Sequence, residues 1–238
     1  LEEGFDGQPV LFNPYNPPFY NDFFLRYGFQ KHRDHYAYTM RLSDFDPAGY
    51  QELANKAMHR FGYRVEHVVF RPQELERLAG EMAEVIGEAF PADWELVPPT
   101  KQDMLDEMIG MLPYATTELV VMAYAGTRPV GLLAVLPDYN RLLKSTGGKL
   151  FPFGWLKLAF RRRAVGAARA SMMFVVPDYQ NKAVGVAMTL AAYGKAKELG
   201  IEEVEASTID ETNTSSILST ERLGAKRYRT YRQYEKQL

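Results

Sequence analysis

The chain has 238 residues, of which 46% are hydrophobic and 24% charged, and its formal net charge is -2. These proportions are those of a globular protein long enough for one large domain. The near-neutral charge argues against a protein that binds nucleic acid by bulk electrostatic attraction. No stretch is long and apolar enough to span a membrane, so stable membrane insertion is not expected. The absence of cysteine excludes disulfides and a cysteine nucleophile, and it fits a cytoplasmic protein.

Two segments share one predicted order of elements. Residues from Asn16 to Tyr38 contain a helix pattern, a stop at Gly28 and a strand pattern, and the same order recurs from Asn213 to Tyr234 around Gly224. Aligned on the two glycines, three residues of the first strand match three of the second: Lys31, Arg33 and Tyr38 match Arg227, Arg229 and Tyr234. An internal repeat and chance similarity both remain open explanations.

The segment between these two predicts an alternation of helices and strands. In chain order the patterns are a helix from Asp46 to Phe61, a strand from Tyr63 to Phe70, an amphipathic helix from Pro72 to Phe90, a helix capped by Thr100, and a β-hairpin formed by Glu118–Gly126 and Val130–Leu136. Asp46 followed by a proline, and Thr100 before an apolar periodic run, are typical helix starts.

An apolar and basic stretch from Leu136 to Arg163 follows the hairpin. It contains Phe151, Phe153 and Trp155 and closes with three consecutive arginines. A lid or wall of an apolar pocket is one interpretation of the aromatic residues, and a helix packed on the outside of the sheet is another. Contact with a membrane surface is a third and weaker interpretation, because the segment is short. For the three arginines we favour a solvated basic turn.

The most informative segment joins a strand to a helix. Met172 to Val176 is an apolar run of strand length, and Pro177 ends it. Small residues follow, and then a helix whose apolar residues recur at the spacing i, i+3, i+4, i+7 and which stops at Gly200. Such a turn directs unpaired N–H groups and the positive end of a helix at one point, which predicts a site for phosphate or diphosphate.

The turn resembles the coenzyme A loop of the GCN5-related N-acetyltransferases (the GNAT superfamily), usually written Arg/Gln-x-x-Gly-x-Gly/Ala. Gln180, Ala183 and Gly185 occupy its fixed positions. The first glycine is replaced by alanine, a residue that we expect to avoid a positive φ. The hairpin before the loop, and the strand, helix and strand after it, also follow the order of that family. The resemblance covers roughly Gln73 to Leu238.

This resemblance implies an α/β fold with a central mixed sheet and flanking helices, preceded by a partial repeat of the same fold. We therefore expect residues 1–45 to be the tail of a degenerate first module and residues 46–238 to form the N-acyltransferase domain. The chain begins at Leu1 rather than Met, which we interpret as a fragment or a processed product. A homodimer is left open.

The resemblance also implies acetyl-CoA as co-substrate, a small amine or amino-acid-like acceptor, and no metal. The residues that it places at the coenzyme A site lie at the end of the strand, in the loop, in the first helical turn and at one later helix start: Val175, Val176, Gln180, Asn181, Lys182, Ala183, Val184, Gly185, Val186, Ala187 and Asn213. In the family, backbone N–H groups near the strand end polarise the thioester carbonyl.

The proton acceptor is expected to be a carboxylate on or just beyond the strand after the loop. We predict Glu205, because Val204 and Ala206 should face the core opposite it; Glu203, Asp210 and Glu211 are the alternatives. The family's tyrosine acid is replaced by Thr220 in this chain, and three nearby tyrosines remain as equal candidates: Tyr228, Tyr231 and Tyr234.

The remaining chemistry-bearing residues give no further motif. The four histidines have no metal-ligand spacing. Neither the P-loop pattern nor the dinucleotide-binding glycine pattern is present. The sequence therefore predicts an acyl-CoA-dependent N-acetyltransferase. A non-catalytic module that binds coenzyme A and a transferase of longer acyl chains are the alternatives.

Overall fold

A computed structural model of the chain describes residues 1–90, 97–112, 117–144, 147 and 165–237. Within these ranges there are seven α-helices: α1 (Phe19–Arg26), α2 (Ala48–Phe61), α3 (Leu75–Ala89), α4 (Lys101–Met111), α5 (Asn140–Lys144), α6 (Val184–Glu198) and α7 (Thr214–Arg222). The same ranges contain seven strands: β1 (Gln30–Arg41), β2 (Tyr63–His67), β3 (Val120–Ala125), β4 (Arg128–Pro137), β5 (Ala167–Val175), β6 (Glu203–Asp210) and β7 (Lys226–Glu235).

The strands form one seven-stranded sheet in the order β2-β3-β4-β5-β6-β1-β7. The sheet is mixed, because β5 and β6 run parallel while β2–β3, β3–β4, β1–β6 and β1–β7 are antiparallel pairs. This is the predicted α/β architecture with a central mixed sheet and flanking helices. Among the described residues, no helix combines the length and the apolar content needed to cross a bilayer.

The chain divides into two compact units. One, the terminal unit, consists of Leu1–Phe45, Pro137–Ala170 and Leu199–Leu238. The other, the middle unit, consists of Asp46–Leu136 and Ser171–Glu198. The predicted boundary between residues 45 and 46 coincides with a junction of these units, and the assignment of residues 1–45 to a separate module remains a proposal.

The middle unit is built on β3, whose residues are buried along both faces. Val121, Met122 and Ala123 are each 0% exposed. Helix α6 packs against β2, β3 and α2, and α3 packs against α4. A strand buried on both faces needs apolar residues at every position, which explains the continuous apolar run in this sequence.

Helix α6 approaches β4 closely at Gly131. A Cβ atom at this position would lie 3.0 Å from Val184 Cγ1 and 3.1 Å from the end of Met188. These contacts are tighter than nine in ten real Cβ contacts, so a side chain at residue 131 would push against the first turns of the helix. The glycine therefore sets how near the loop helix lies to the sheet.

In the terminal unit, β1 lies between β6 and β7. Strands β6 and β7 follow one another in the chain, but each pairs with β1, which is far from them in the sequence. Asp34 of β1 accepts two hydrogen bonds from the Arg232 guanidinium of β7, at 2.8 and 3.0 Å. That guanidinium holds the pKa of the buried Asp34 carboxyl below its usual value, so the pair is charged at neutral pH.

The two helix–glycine–strand segments have the same local geometry. After α1, Gly28 has φ +88°, and after α7, Gly224 has φ +91°. Three backbone hydrogen bonds close each helix, and they correspond one to one. In the first segment the N–H groups of residues 27, 28 and 29 donate to the carbonyls of residues 23, 25 and 24, respectively. In the second segment the N–H groups of residues 223, 224 and 225 donate to the carbonyls of residues 219, 221 and 220. These bonds close both helices with the same left-handed cap.

The pairing of β1 with β7 makes the repeat symmetric. His35 lies opposite Tyr231, and these two positions correspond in the repeat. The pairs on either side of this point are equivalent when the two strands are exchanged. Gln30 of β1 pairs with Glu235 of β7, and Thr39 of β1 pairs with Lys226 of β7. In the repeat, Gln30 corresponds to Lys226 and Thr39 corresponds to Glu235. The two segments are therefore related by a local two-fold, and chance similarity is not needed to explain their sequences. The partial repeat of the fold is confirmed.

Some predicted boundaries differ from those observed. The strand expected from Tyr63 to Phe70 ends at His67, and the helix expected from Pro72 begins with a short 3-10 turn before Leu75. Strand β5 starts at Ala167, five residues before the predicted strand. The aromatic and arginine residues of the stretch predicted as a lid or an outer helix, Phe151 to Arg163, lie outside the described residues.

The repeat leads to a stability prediction. Gly28→Ala and Gly224→Ala should each lower the free energy of unfolding by about 1–2 kcal/mol, because a Cβ is strained at these φ values. The effects should be similar, since an added Cβ meets no atom closer than 3.7 Å at residue 28 and none within 4 Å at residue 224. Urea unfolding followed by circular dichroism measures them.

Gly87→Ala is the matched control, because this glycine lies in α3 without a positive φ and with no atom within 4 Å of an added Cβ. It should stabilise the helix by roughly 0.5–1 kcal/mol. If Gly28→Ala and Gly224→Ala behave like Gly87→Ala, the two caps are not left-handed in solution.

Candidate functional site

The predicted loop follows β5 in the middle unit. The strand ends at Val175, and Pro177–Tyr179 forms one turn of 3-10 helix. Val176 between them is completely buried, and its N–H donates to the Val130 carbonyl of β4 at 3.1 Å. This bond fixes the point at which the chain leaves the sheet. It also engages an N–H group that was predicted to contact the thioester, so a ligand would have to share it.

The loop turns through two left-handed residues. Asn181 has φ +61° and Ala183 has φ +56°. The expectation that alanine would avoid a positive φ at the first motif position was wrong. Left-handed backbone costs a non-glycine residue about 1–2 kcal/mol, which surrounding contacts must offset.

Three N–H groups in the first turn of α6 have no acceptor among the described residues. The Ala187 N–H donates to the Ala183 carbonyl at 3.0 Å, so this carbonyl is the first acceptor of the helix. Within the described part of the chain, the preceding N–H groups have no acceptor: those of Val184, Gly185 and Val186. Together with the positive end of the helix dipole, they form a surface suited to an anion.

The side chains of the predicted loop residues have different environments. Val184 and Ala187 are buried in the core, so only their backbone is available to a ligand. Gln180 is exposed and donates through Nε2 to the Val175 carbonyl at 3.2 Å. The ammonium of Lys182 lies 4.3 Å from the centre of the Tyr179 ring. The loop therefore offers mainly backbone donors and one cation.

Asn213, also predicted to contact the cofactor, caps a helix of the terminal unit. Its Oδ1 accepts from the Ser216 N–H at 3.0 Å, which satisfies a free donor at the start of α7. This bond explains why asparagine is suited to the position. Cofactor contact by Asn213 remains a prediction.

Glu205 lies in a buried hydrogen-bond network of the terminal unit. Its side chain is 4% exposed, and Oε1 accepts from Ser207 Oγ at 2.5 Å and from Asn13 Nδ2 at 2.6 Å. Oε2 accepts from the Tyr228 hydroxyl. Burial and this hydrogen bond raise the pKa of Tyr228, so its hydroxyl stays protonated at neutral pH. The expectation that Val204 and Ala206 would face the core opposite Glu205 was wrong, because both are less buried than Glu205 and the carboxylate faces the covered side of the strand.

A cavity of about 320 Å³ opens onto this carboxylate. Besides residues from the start of the chain, its charged and phenolic lining consists of Asp138, Arg141, Glu203, Glu205, Tyr228 and Arg229. Asp138 is 2% exposed, and burial raises the pKa of its carboxyl. Glu205 is thus both buried and adjacent to a space large enough for a small polar group.

The alternative carboxylates all have cationic partners. Glu203 pairs with Arg141 at 2.5 Å, Asp210 with Arg33 at 3.1 Å, and Glu211 with Lys31 at 2.9 Å. Among the described residues, no Lys, Arg or His nitrogen lies within 4 Å of Glu205. A guanidinium or an ammonium beside a carboxylate disfavours its protonation, which makes these three carboxylates weaker candidates for the proton acceptor.

The network contains residues that the sequence analysis missed. Arg169 of β5 is 8% exposed and donates to Ser207 Oγ at 3.0 Å and to the Leu11 carbonyl at 2.8 Å. Burial lowers the pKa of its guanidinium. A single arginine in an otherwise small and apolar strand is the signal that could have identified it. Asn13 and Ser207 carry no such signal.

The three candidate tyrosines occupy different environments. Tyr228 contacts Glu205, while the Tyr234 hydroxyl donates to Glu2 at 3.3 Å. The Tyr231 hydroxyl is buried and has no hydrogen-bond partner among the described residues. Tyr228 is therefore the one that directly contacts the predicted proton acceptor. No group of three or more His, Asp or Glu residues in the described ranges is arranged to hold a metal ion.

Comparison with known proteins agrees with this fold. The model of the acetyltransferase (GNAT) family matches residues 81–225. Protein YghO of Escherichia coli strain K12 is 30% identical, with 100% of this chain and 62% of that protein covered. The bacterial ceramide synthase of Caulobacter vibrioides is 27% identical, with 99% of this chain and 62% of that protein covered. The chain therefore spans about 62% of the length of these two relatives.

A solved structure has the same fold at low sequence identity. A tandem GNAT protein from the clavulanic acid biosynthesis pathway has a TM-score of 0.57 and 13% identity, with 94% of this chain and 59% of that chain covered. The mixed sheet, the strand–loop–helix segment and a family match over most of the chain lead to one conclusion: this chain belongs to the GNAT family of acetyltransferases.

Proposed function

We propose that this chain transfers an acyl group from acyl-CoA to the nitrogen of an amine. The observation that carries the proposal is the loop at the start of α6, where three N–H groups without acceptors among the described residues meet the positive end of the helix. A diphosphate matches this surface in charge and in its need for hydrogen-bond donors. Coenzyme A supplies a diphosphate, with the thioester at the other end of its pantetheine.

Glu205 is the proposed proton acceptor. An amine that attacks a thioester must lose a proton as its nitrogen bonds to the carbonyl carbon, and the thiolate of coenzyme A leaves as the C–S bond breaks. Glu205 is buried, lines the cavity and has no cation within 4 Å among the described residues. Tyr228, which donates to Glu205, would orient the carboxylate.

The proposal has two forms, which differ in the length of the acyl chain that is transferred. Acetyl transfer to a small amine is the simpler form, and membership of the acetyltransferase (GNAT) family supports it. Transfer of a longer acyl chain is supported by one relative, the bacterial ceramide synthase of Caulobacter vibrioides, since a ceramide is the amide of a long-chain amine and a fatty acid. Initial rates with acetyl-CoA and palmitoyl-CoA, each offered a short and a long-chain primary amine, separate the two forms.

The same assay tests whether the chain is a catalyst. Binding of coenzyme A without release of thiol in any donor and acceptor combination would favour a non-catalytic coenzyme A module over the transferase. Release of free thiol that depends on the amine would support acyl transfer. Mass spectrometry of the product identifies the new amide bond.

The first prediction from the proposed function concerns the donor site. Gly185→Glu should weaken coenzyme A binding by at least about 100-fold, because a carboxylate beside the free N–H groups would repel and displace the diphosphate. The backbone itself should tolerate the change, since an added Cβ meets only the flexible end of Met173, at 3.2 Å. Isothermal titration calorimetry measures the dissociation constant.

Gly194→Glu is the matched control for this variant. It adds the same charge to the same helix, two to three turns further on, where no atom lies within 4 Å of a Cβ. Coenzyme A affinity should stay within about twofold of the parent, since the helix dipole acts mainly over its first turn. Equal affinity of both variants for coenzyme A would contradict the location of the donor site.

The second prediction concerns the proton acceptor. Glu205→Gln should lower kcat at neutral pH by roughly 10²–10⁴-fold, the usual contribution of a general base. Coenzyme A affinity should be unchanged. The deficit should shrink at high pH, because more of the amine is already neutral there. Steady-state kinetics between neutral and alkaline pH measure both effects.

Glu203→Gln serves as the comparison, since Glu203 lies on the same strand but pairs with Arg141. Its kcat should stay within a few-fold of the parent. An undiminished rate in Glu205→Gln would move the assignment to Asp210, and a loss of folding in that variant would be visible as a lowered Tm.

A further inference from the structure

Lys182 lies in the loop from Gln180 to Ala183, the proposed donor loop, and both its backbone carbonyl and its side-chain ammonium are held by contacts. Its carbonyl accepts a hydrogen bond from the Tyr63 hydroxyl at 3.0 Å. Its ammonium lies over the rings of Tyr179 and Phe61, 4.3 and 5.5 Å from their centres. All of these residues belong to the middle unit. The loop is therefore fixed by contacts that come from the end of α2 and the start of β2.

Tyr63 is suited to hold a backbone group. It is 4% exposed, and its ring meets the Tyr179 ring edge-on, with 6.4 Å between centres and an angle of 89°. Burial raises the pKa of Tyr63 to about 12, so the hydroxyl remains a donor throughout the neutral range. Gly62 before it is left-handed, with φ +64°, and turns the chain from α2 into β2.

Anchoring the Lys182 carbonyl fixes more than one atom. The Lys182 carbonyl and the Ala183 N–H belong to the same planar peptide and point in opposite directions. The hydrogen bond from Tyr63 therefore sets the direction of the Ala183 N–H. It also opposes rotation of the peptide out of the left-handed conformation of Ala183, at φ +56°. The N–H groups that follow, from Val184 to Val186, depend on this bend for their direction.

We propose that Tyr63 is a positioning residue of the donor site, whose hydroxyl holds the Lys182–Ala183 peptide so that the loop N–H groups are directed at the diphosphate of acyl-CoA. This inference rests on the proposed function. It assigns part of the donor affinity to a residue of β2 that is separated from the loop by more than a hundred positions in the chain.

Tyr63→Phe removes the hydroxyl and keeps the ring. The dissociation constant for coenzyme A should rise about fivefold, because binding must then order the peptide that one neutral hydrogen bond previously held in place. The KM for acyl-CoA should rise by the same factor, while kcat and the KM for the amine stay within about twofold. With an acyl-pantetheine donor, which lacks the diphosphate, the variant and the parent should have equal kcat/KM.

Tyr124→Phe is the matched control. Tyr124 is a buried tyrosine of the same unit, 6% exposed, and its hydroxyl donates to Glu81 at 2.8 Å rather than to the loop. This variant loses the same group from the core and should keep the parent's affinity for coenzyme A. A purely structural role of Tyr63 would lower Tm in both variants without separating their coenzyme A affinities.

The outcomes separate this inference from the function on which it rests. If the parent binds coenzyme A and Tyr63→Phe binds it equally well, the positioning role is refuted and the proposed function stands. Equal loss of activity with acyl-CoA and acyl-pantetheine also refutes it, because the effect would not pass through the diphosphate. If the parent does not bind coenzyme A, the proposed function and the inference both fail.

Discussion

The terminal unit depends on β1, the first strand of the chain, which lies between β6 and β7, the last two strands. Strands β6 and β7 are joined through α7, yet each finds its hydrogen-bond partners on β1. Without β1, both would present unpaired N–H and carbonyl groups along an edge. The network around Glu205 depends on the same arrangement, because its donors come from the start of the chain, from β6 and from β7. Arg229, which is 1% exposed, adds to this because its guanidinium donates to the carbonyls of Gly4 and Gln8.

Local patterns in the sequence predicted the elements of the fold well, because each pattern reflects burial of that element alone. The apolar run of β3 and the spacing of apolar residues in α6 are examples. Such patterns could not predict which strands pair with one another. The repeat predicted that Asn16–Tyr38 would resemble Asn213–Tyr234, but the insertion of β1 beside β6 depends on contacts between residues far apart in sequence. Strand periodicity gives no information about which strand is the neighbour.

The two parts of the candidate site also differ in how far the sequence could predict them. The loop before α6 is a continuous segment, so the spacing of Gln180, Ala183 and Gly185, together with the order of elements around it, was enough to predict a coenzyme A loop there. The Glu205 network joins separate segments, and only Glu205 itself and the tyrosines stood out in the sequence. Arg169 was missed because the predicted strand began at Met172 whereas β5 begins at Ala167, and Tyr63 was interpreted only as part of a strand. The error at Ala183 has a physical reason, since the rule against a positive φ is a preference of about 1–2 kcal/mol that tertiary contacts can outweigh.

The left-handed alanine has a thermodynamic consequence for ligand binding. A glycine at residue 183 would visit many backbone conformations in the empty protein, and binding would have to suppress them at a cost in entropy. Alanine has fewer conformations to lose, and the peptide before it is anchored by Tyr63. The strain is therefore present before the ligand arrives, and the ordering cost is met during folding. Association with a diphosphate should consequently show a smaller entropic penalty than it would in an otherwise identical loop that carries the glycine.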